Sequence, residues 1–571
     1  MKSLLKYLKN YKIESVCAPL FKMLEAIFEL IVPLVVASII DNGIGTGNTK
    51  FIFQRCGILV LLAVVGMVAA ITAQYFAAKA ATGFGRELRH SIFDKIQSLS
   101  FSELDAVGTS KLVTILSNDS NQVQNGVNMV LRLFLRSPFI VFGAMIMAFT
   151  VDVKCALVFL CAIPILSLIV FGIMAYTIPK YRQVQNSLDT ITLKTRENLS
   201  GARVIRAFTQ ENNEINSFVE SNRALSHLQK AVGRISALMN PVTYVVINVA
   251  VVVLVYCGAL RVNSGNLTQG QVVALYNYMS QILVELIKLA NLIVTITKAL
   301  ACASRIEKVL KLENSLEHNG NTSLKTNNAV DFCNVSLRYN GAGDDSLTNI
   351  SFSAPKGSTV GIIGSTGSGK SSLVSLIPHF YDATNGTVYV NGRDVKSFDD
   401  DELRSKIGVV LQKAALFKGS VRENLKWGNS NATDEQMEKA LDKAQVLSVV
   451  NEKGGLDAQI SQNGSNLSGG QKQRLSVARA LVREPEILIL DDSASALDFA
   501  TEAKLRKEMY NLDYNPTVFI VSQRASSVMT ADNIIVLDDG EIVGQGTHAQ
   551  LLENCEVYQE IYNSQFGKEE A

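Results

Sequence analysis

The sequence predicts a membrane α-helical bundle of six transmembrane helices with long cytoplasmic extensions, followed by a soluble α/β domain of the P-loop type. Three observations carry that prediction. Of 571 residues, 48% are hydrophobic and only 19% are charged, against about 25% charged in an ordinary soluble domain. Apolar runs long enough to cross a bilayer, about 20 residues each, crowd the first half of the chain and are absent from the second. The second half instead holds a glycine-rich loop between a strand pattern and a helix pattern. Intrinsic disorder is excluded, because it needs few apolar residues and a high net charge, whereas 54 Lys and Arg against 52 Asp and Glu leave only +2. That balance gives no basic footprint for nucleic acid. The eight cysteines include no CxxC pair and read as small buried hydrophobes.

The spans are predicted at Cys17–Ile40, Cys56–Ala81, Ser137–Thr150, Lys154–Thr177, Pro241–Leu260 and Val272–Ile296. The third is short and extends back toward Arg132 and Arg136. After the sixth, a polar stretch (KLENSLEHNGNTSLKTNN) reads as a linker. The expected division is a transmembrane domain over 1–312, a linker over 313–329 and a soluble domain over 330–571. Thr82–Arg136 and Ile178–Asn240 are long and rich in Lys and Arg, whereas the loops on the other side hold only Lys50, Arg55, Lys154 and Arg261. The positive-inside tendency places the two long segments, both termini and the soluble domain in the cytoplasm. The opening MKSLLKYLKNYK is followed by Lys22, Glu25 and Glu29 rather than an uninterrupted apolar region. It reads as an interfacial amphipathic helix, not a signal peptide.

Charges inside spans cost about 2.5–3.5 kcal/mol each at the bilayer centre, so their placement is informative. Lys22, Glu25 and Glu29 fall within an arc of about 60° of the first span, and Asn277, Gln281, Glu285, Lys288, Asn291 and Thr295 within about 120° of the sixth. Both stripes are expected to face the bundle interior or a water-filled cavity. They read equally well as a cargo pathway or as internal pairs, Lys22 with Glu25 and Glu285 with Lys288. Three acids against two lysines leave one negative charge, which leans a cargo toward cationic amphiphiles.

In the soluble part, Gly364, Ser365, Thr366, Gly367, Ser368, Gly369, Lys370 and Ser371 spell GSTGSGKS, with Ser372 next. Small residues let backbone N–H groups wrap phosphates, Lys370 neutralises charge at the β/γ position, and Ser371 offers a hydroxyl to Mg²⁺. Glu486–Leu490 reads as a buried strand delivering Asp491 and Asp492, an acid at that end being placed to hold a magnesium shell. Just upstream, Leu467, Ser468, Gly469, Gly470 and Gln471 spell LSGGQ ahead of a helical stretch.

With these motifs in this order, the chain resembles the ATP-binding cassette (ABC) superfamily. With six spans in front, it looks like a half-transporter of the bacterial multidrug exporter type. The resemblance implies ATP and Mg²⁺ as ligands, with Ser371, Gln412 and Asp491 on the metal and Tyr339 stacked on adenine. It implies that LSGGQ binds the γ-phosphate of ATP held by a second chain, using a helix N-terminus as the anion site, and that the D-loop, Ser495 to Asp498, touches the opposite site. It also implies that loop tips near Asp105–Ser110 and Phe208–Asn213 dock as coupling helices on the nucleotide domains.

Two departures from the family pattern bear on mechanism. The family places Glu after the Asp at the end of the catalytic strand, and this chain has Asp492; it places His after the strand Val518–Ser522, and this chain has Gln523. Ser461 and Gln462 stand where the exporter X-loop carries Glu, a softer departure. Asp492 and Gln523 together imply the degenerate-site subunit of a heterodimer, whose LSGGQ completes the competent site of a partner with intact Glu and His. The setting implied is the bacterial plasma membrane, in contact with lipid, exporting amphiphilic small molecules with a lean toward cationic ones. The alternatives are a lipid or peptide exporter of the same fold, or a regulatory membrane protein that binds ATP. The chain shows no cysteine-peptidase region ahead of its first span, which weighs against a peptide-maturing exporter.

Overall fold

The computed structural model describes residues 3–320 and 322–567. These fall into two compact units, one built from 1–97 with 110–311 and the other from 98–109 with 312–571.

A bilayer supplies no water to backbone N–H and C=O groups, so a spanning chain satisfies them within helices. In the first unit the main helices are Lys12–Ile39, Thr49–Gln97, Arg136–Val151, Val153–Ser200, Glu211–Asn263 and Gln269–Leu310. Among the described residues, six helical stretches are long and apolar enough to cross a membrane. The third does begin earlier than Ser137, because Ser120–Leu133 continues it into one stretch over Thr109–Val151. At 1.5 Å per residue the second helix is about 74 Å long, more than twice the hydrocarbon thickness of about 30 Å. The long basic segments are therefore extensions of the spans.

One expectation needs correction, and the expected N-terminal amphipathic helix is present with a different helix type. The second loop tip forms a short helix at Ala202–Ala207, ahead of Phe208–Asn213, because Gly201 ends the fourth helix and Glu211 already begins the fifth. The N-terminal stretch is a 3₁₀ helix over Leu4–Tyr11 with Leu4 buried; Met1 and Lys2, also part of that expectation, lie outside the described residues.

Close approach in this unit relies on small side chains. Ala69, Ala73, Ala77, Ala80 and Ala81 are all buried, forming the small-residue face that lets membrane helices pack tightly. At Gly83 an added Cβ would fall 2.1 Å from the Tyr11 ring. Asp152 joins two elements: it accepts the Cys155 backbone N–H at the start of the fourth helix (2.9 Å) and pairs with Arg261 from the end of the fifth (2.6 Å).

The second unit contains β1 (Asn328–Leu337), β2 (Leu347–Pro355), β3 (Thr359–Gly364), β4 (Asn385–Val390), β5 (Arg393–Asp394), β6 (Ile407–Val410), β7 (Gly419–Ser420), β8 (Gln459–Ile460), β9 (Ile487–Asp491), β10 (Thr517–Ser522), β11 (Asn533–Asp538) and β12 (Glu541–Gly546). An antiparallel sheet runs β2-β1-β4-β5, and a six-stranded sheet runs β12-β11-β3-β10-β9-β6. The latter is parallel from β11 to β6, with β12 antiparallel at its edge. Every residue of β3, β9 and β10 is buried, as expected for central parallel strands covered on both faces. Segment 98–109 carries the helix Phe101–Val107. Phe101 packs on Phe380 with centroids 4.5 Å apart, and the Tyr381 hydroxyl donates to Asp105 Oδ2 (2.6 Å).

Because Asp152 both caps one helix and neutralises an arginine from another, Asp152→Ala removes a cap, at about 0.5–2 kcal/mol, and leaves Arg261 unpaired. The thermal midpoint of the detergent-purified protein is expected to fall further in Asp152→Ala than in Asp152→Asn, which loses the same charge but keeps a capping oxygen. Equal midpoints would show that the cap contributes nothing.

Candidate functional site

Four neighbouring parallel strands end at one place in the second unit, and each delivers residues there. The P-loop follows β3, Asp491 closes β9 with Asp492 beyond it, Gln523 follows β10, and Gln412 lies two residues past β6. Ligands of open α/β sheets sit at the carboxyl ends of their strands. Here those ends line a cavity of about 500 Å³ that includes Lys370, Ser371, Ser372, Gln412, Asp491, Asp492 and Gln523.

The P-loop is wound for close approach. Gly367 and Gly369 have φ of +89° and +93°, open to glycine at little cost, and a Cβ on Gly369 would lie 2.7 Å from the Ser346 carbonyl oxygen. Lys370 begins the following helix, Lys370–Ser375. Its Nζ donates to the carbonyls of Gly364 (2.9 Å) and Ser365 and to Ser368 Oγ (3.3 Å). Burial pushes the Lys370 pKa down, against the pull of Asp492 and Asp491. Burial likewise pushes the Asp491 carboxyl up, with the Ser371 hydrogen bond opposing and the Asp492 charge assisting. A polyphosphate entering here meets an ammonium with a neutral carbonyl cradle rather than a carboxylate partner.

Ser371 Oγ donates to Asp491 Oδ1 (2.9 Å), joining the P-loop to β9. Gln412 Nε2 donates to Asp492 Oδ2 (3.3 Å), and Thr366 Oγ1 approaches Gln523 Oε1 at 3.4 Å. Asp492 has φ of +46°, a left-handed conformation to which Asp is better suited than most residues. The two positions that depart from the family pattern thus stand on the wall of the same cavity as Lys370.

Tyr339 is placed differently from these. Its hydroxyl donates to Ser372 Oγ (2.9 Å) and its ring packs edge-on to Tyr381 at 5.1 Å, so it adjoins the cavity through Ser372. The LSGGQ residues lie elsewhere: none of Leu467–Gln471 lines this cavity. Ser468 caps the helix Gly469–Leu481 through a reciprocal box with Gln471, leaving an N-terminus suited to an anion. Gln473 on that helix donates to Ser495 Oγ (3.2 Å) and accepts the Ala496 N–H (3.1 Å), so it couples the signature helix to the D-loop. Asp498 ends the D-loop by accepting the Thr501 N–H (3.1 Å).

Sequence reasoning missed Gln473 and two further walls of the cavity, Asp344–Ser346 and Asp539–Gly540. The second carried a signal: Asp539 and Gly540 both have positive φ, as an Asp-Gly hairpin turn requires. The first lies in an irregular loop with no such mark.

In the membrane unit, Glu29, Asn277, Gln281, Glu285 and Lys288 line a cavity of about 370 Å³, while Glu25 pairs with Lys22 (2.5 Å). Arg136, which the stripe reading omitted, holds the group together: it donates to Glu285 Oε1 (2.6 Å) and to Glu29 Oε2 (2.7 Å), and lies 3.8 Å from Glu25. Lys288 and Ser137 also donate to Glu285 (both 2.8 Å), which is 2% exposed. With Arg136 counted, three carboxylates face three cations, so the group has no net negative charge to favour a cationic cargo.

Residues 16–286 match the family described as ABC transporter transmembrane region, and residues 347–495 match the family described as ABC transporter. YfiB of Bacillus subtilis, an uncharacterized ABC transporter ATP-binding protein, is 35% identical over 570 residues, covering 100% of this chain and 99% of YfiB. YgaD of the same organism, a putative multidrug export ATP-binding/permease protein, is 29% identical over 99% of each chain. A solved bacterial Atm1-family ABC exporter with ATP bound shares the fold, with TM-score 0.81 and 21% identity, over 98% of this chain and 99% of that one.

Two predictions follow from the two cavities. Lys370→Ala removes a charged donor worth about 1.5–3 kcal/mol, so binding of a fluorescent ATP analogue is expected to weaken at least about tenfold. Arg136→Met removes the cation shared by Glu29 and Glu285 and leaves Glu285 with Lys288 alone, a loss of up to about 3–5 kcal/mol. Its thermal midpoint is expected to fall and to recover when Glu29→Gln and Glu285→Gln are added; no recovery would mean that Arg136 acts by packing alone.

Proposed function

The chain belongs to the ABC transporters, with an ATP-binding domain whose ATP hydrolysis is coupled to transport, and from that premise we propose that it is the degenerate-site half of a heterodimeric exporter. The observation that carries this reading is that Asp492 and Gln523 face the cavity holding Lys370. Asp is one methylene shorter than Glu, which retracts the carboxylate by about 1.5 Å, and a misplacement near 1 Å costs about a hundredfold in rate. Gln523 hydrogen-bonds but does not become cationic, so it stabilises developing phosphoryl charge less than an imidazolium.

On this reading the chain holds ATP at its own P-loop and turns it over slowly. Ser371, Asp491 and Gln412 would hold Mg²⁺: they are oxygen donors converging at the strand ends, the chemistry that a hard cation selects. When bound, the ion neutralises charge on the β- and γ-phosphates. Lys370 orients the phosphates, and Asp492 receives the water proton from too far back to be effective. The capped N-terminus at Ser468 binds the γ-phosphate of the partner's nucleotide, and that site performs most of the hydrolysis.

The proposed setting is a bacterial plasma membrane, with the nucleotide domain and both termini in the cytoplasm. The cargo class we favour is amphiphilic small molecules, supported by the multidrug description of YgaD and by the polar wall of the membrane cavity.

The test is ATP turnover and dye efflux with and without a co-expressed half-transporter that has intact Glu and His. Activity is expected only with the partner, to be nearly abolished by Glu→Gln in the partner, and to be reduced much less by Asp492→Asn here. Asp492→Glu with Gln523→His is expected to raise turnover by the chain alone. Robust turnover by the unmodified chain alone would overturn the reading.

A further inference from the structure

A second constellation in the C-terminal unit lies outside the P-loop cavity, none of its residues lining that cavity. One ring nitrogen each from His318 and His379 and one carboxylate oxygen of Asp400 lie within 4.8 Å of one another. They come from three separate segments: the polar stretch ahead of β1, the turn after the P-loop helix, and the first residue of the helix Asp400–Ser405. His379 is 1% exposed and has φ of +53°, a backbone strain that persists only where the surroundings fix it.

His379 Nε2 is bonded to Asp382 Oδ1 (2.9 Å), but its buried Nδ1 has no hydrogen-bond partner. The buried Oδ1 of Asp400 has none either, and the two stand 3.8 Å apart. That gap is too long for a direct hydrogen bond, and each buried orphan costs about 1–3 kcal/mol. It is close to the spacing of two ligands sharing a tetrahedral zinc ion, about 3.4 Å for bonds of about 2.1 Å.

The surrounding groups orient the three side chains as metal ligands are oriented. Metal-bound imidazoles usually donate their other N–H to a carboxylate or backbone carbonyl. Asp382 meets His379 in this way, and His318 Nδ1 lies 3.3 Å from the Phe398 carbonyl oxygen. Arg404 engages Asp400 Oδ2 (3.2 Å) and leaves Oδ1 free. Two imidazoles and one carboxylate match a borderline-soft divalent ion.

We propose that His318, His379 and Asp400 bind one Zn²⁺, with water as the fourth ligand. The ion fastens the polar stretch containing His318 to the α/β domain next to Phe380 and Tyr381, the residues that contact Phe101 and Asp105. The metal-free alternative is a His379 held by Asp382 alone.

The experiment is a zinc titration of the detergent-purified full chain, stripped with chelator and free of nucleotide, against a chromophoric competitor. One tight Zn²⁺ per chain is expected. His318→Ala is the main variant, since His318 is exposed and its loss leaves the fold intact, as unchanged ATP-analogue binding would show. It is expected to weaken zinc by more than about 100-fold, and Asp382→Asn by about 10- to 100-fold, the usual cost of an outer partner. Co²⁺ in place of Zn²⁺ is expected to give the visible absorption of a tetrahedral site, lost in His318→Ala. No tight zinc in the folded wild-type chain, or zinc binding unchanged in His318→Ala, would overturn the proposal.

Discussion

The hydrogen bond from Ser371 to Asp491 joins the ends of two strands that are not neighbours in sequence, and the nucleotide site is built around it. It is possible because β10 lies between β3 and β9 in a parallel sheet, so that all three finish at the same edge. The parallel order places Gln523 between the P-loop and the acidic pair, and brings Gln412 in from β6 on the outside. Each of those strands is a short apolar run that would be unremarkable alone. What makes their last residues chemically useful is that the sheet interior is fully buried, so the polar groups collect where the strands stop.

That burial also sets the electrostatics. Lys370 and Asp491 are both removed from water, and each is disfavoured in its charged form. The lysine is held by carbonyls rather than by a carboxylate, so its charge remains to be used by phosphate. A site of this kind binds a polyphosphate well whether or not it hydrolyses it quickly. Binding is governed by the loop and Lys370, whereas the rate depends on the reach of residue 492 and the charge available at residue 523. The two functions would therefore rest on different residues, and that is the physical basis for proposing a half-transporter that holds ATP while a partner turns it over.

The membrane unit follows the same rule with opposite consequences. There, too, charge is buried, but Arg136 neutralises Glu285 and Glu29 directly and Lys288 completes the set. The cavity beside it is polar without carrying excess charge. Of the two readings of the polar stripes, the internal pairs exist as hydrogen-bonded contacts, and they also form a cavity wall. One set of side chains can serve both purposes, since a network that is satisfied within the protein still presents Asn277 and Gln281 to a cavity.

The sequence by itself determined the division into an apolar helical half and a soluble α/β half, the approximate spans, and the identity of the P-loop, Asp491, Asp492, Gln412 and Gln523. These were legible because each depends on local pattern: the length of an apolar run, or small residues and a lysine at fixed spacing after a strand. Only the tertiary structure decided what was joined across long sequence separations. Arg136 lies outside both stripes and enters the network because helix packing brings it to Glu29 and Glu285. Gln473 and Asp344–Ser346 carry no local signature, and His318 and His379 are 61 positions apart by the sequence numbering. Local periodicity reports which face of an element is buried, but it does not say which other element that face will meet. That choice is made by packing, and the charge balance in the membrane and the histidine pair were settled there.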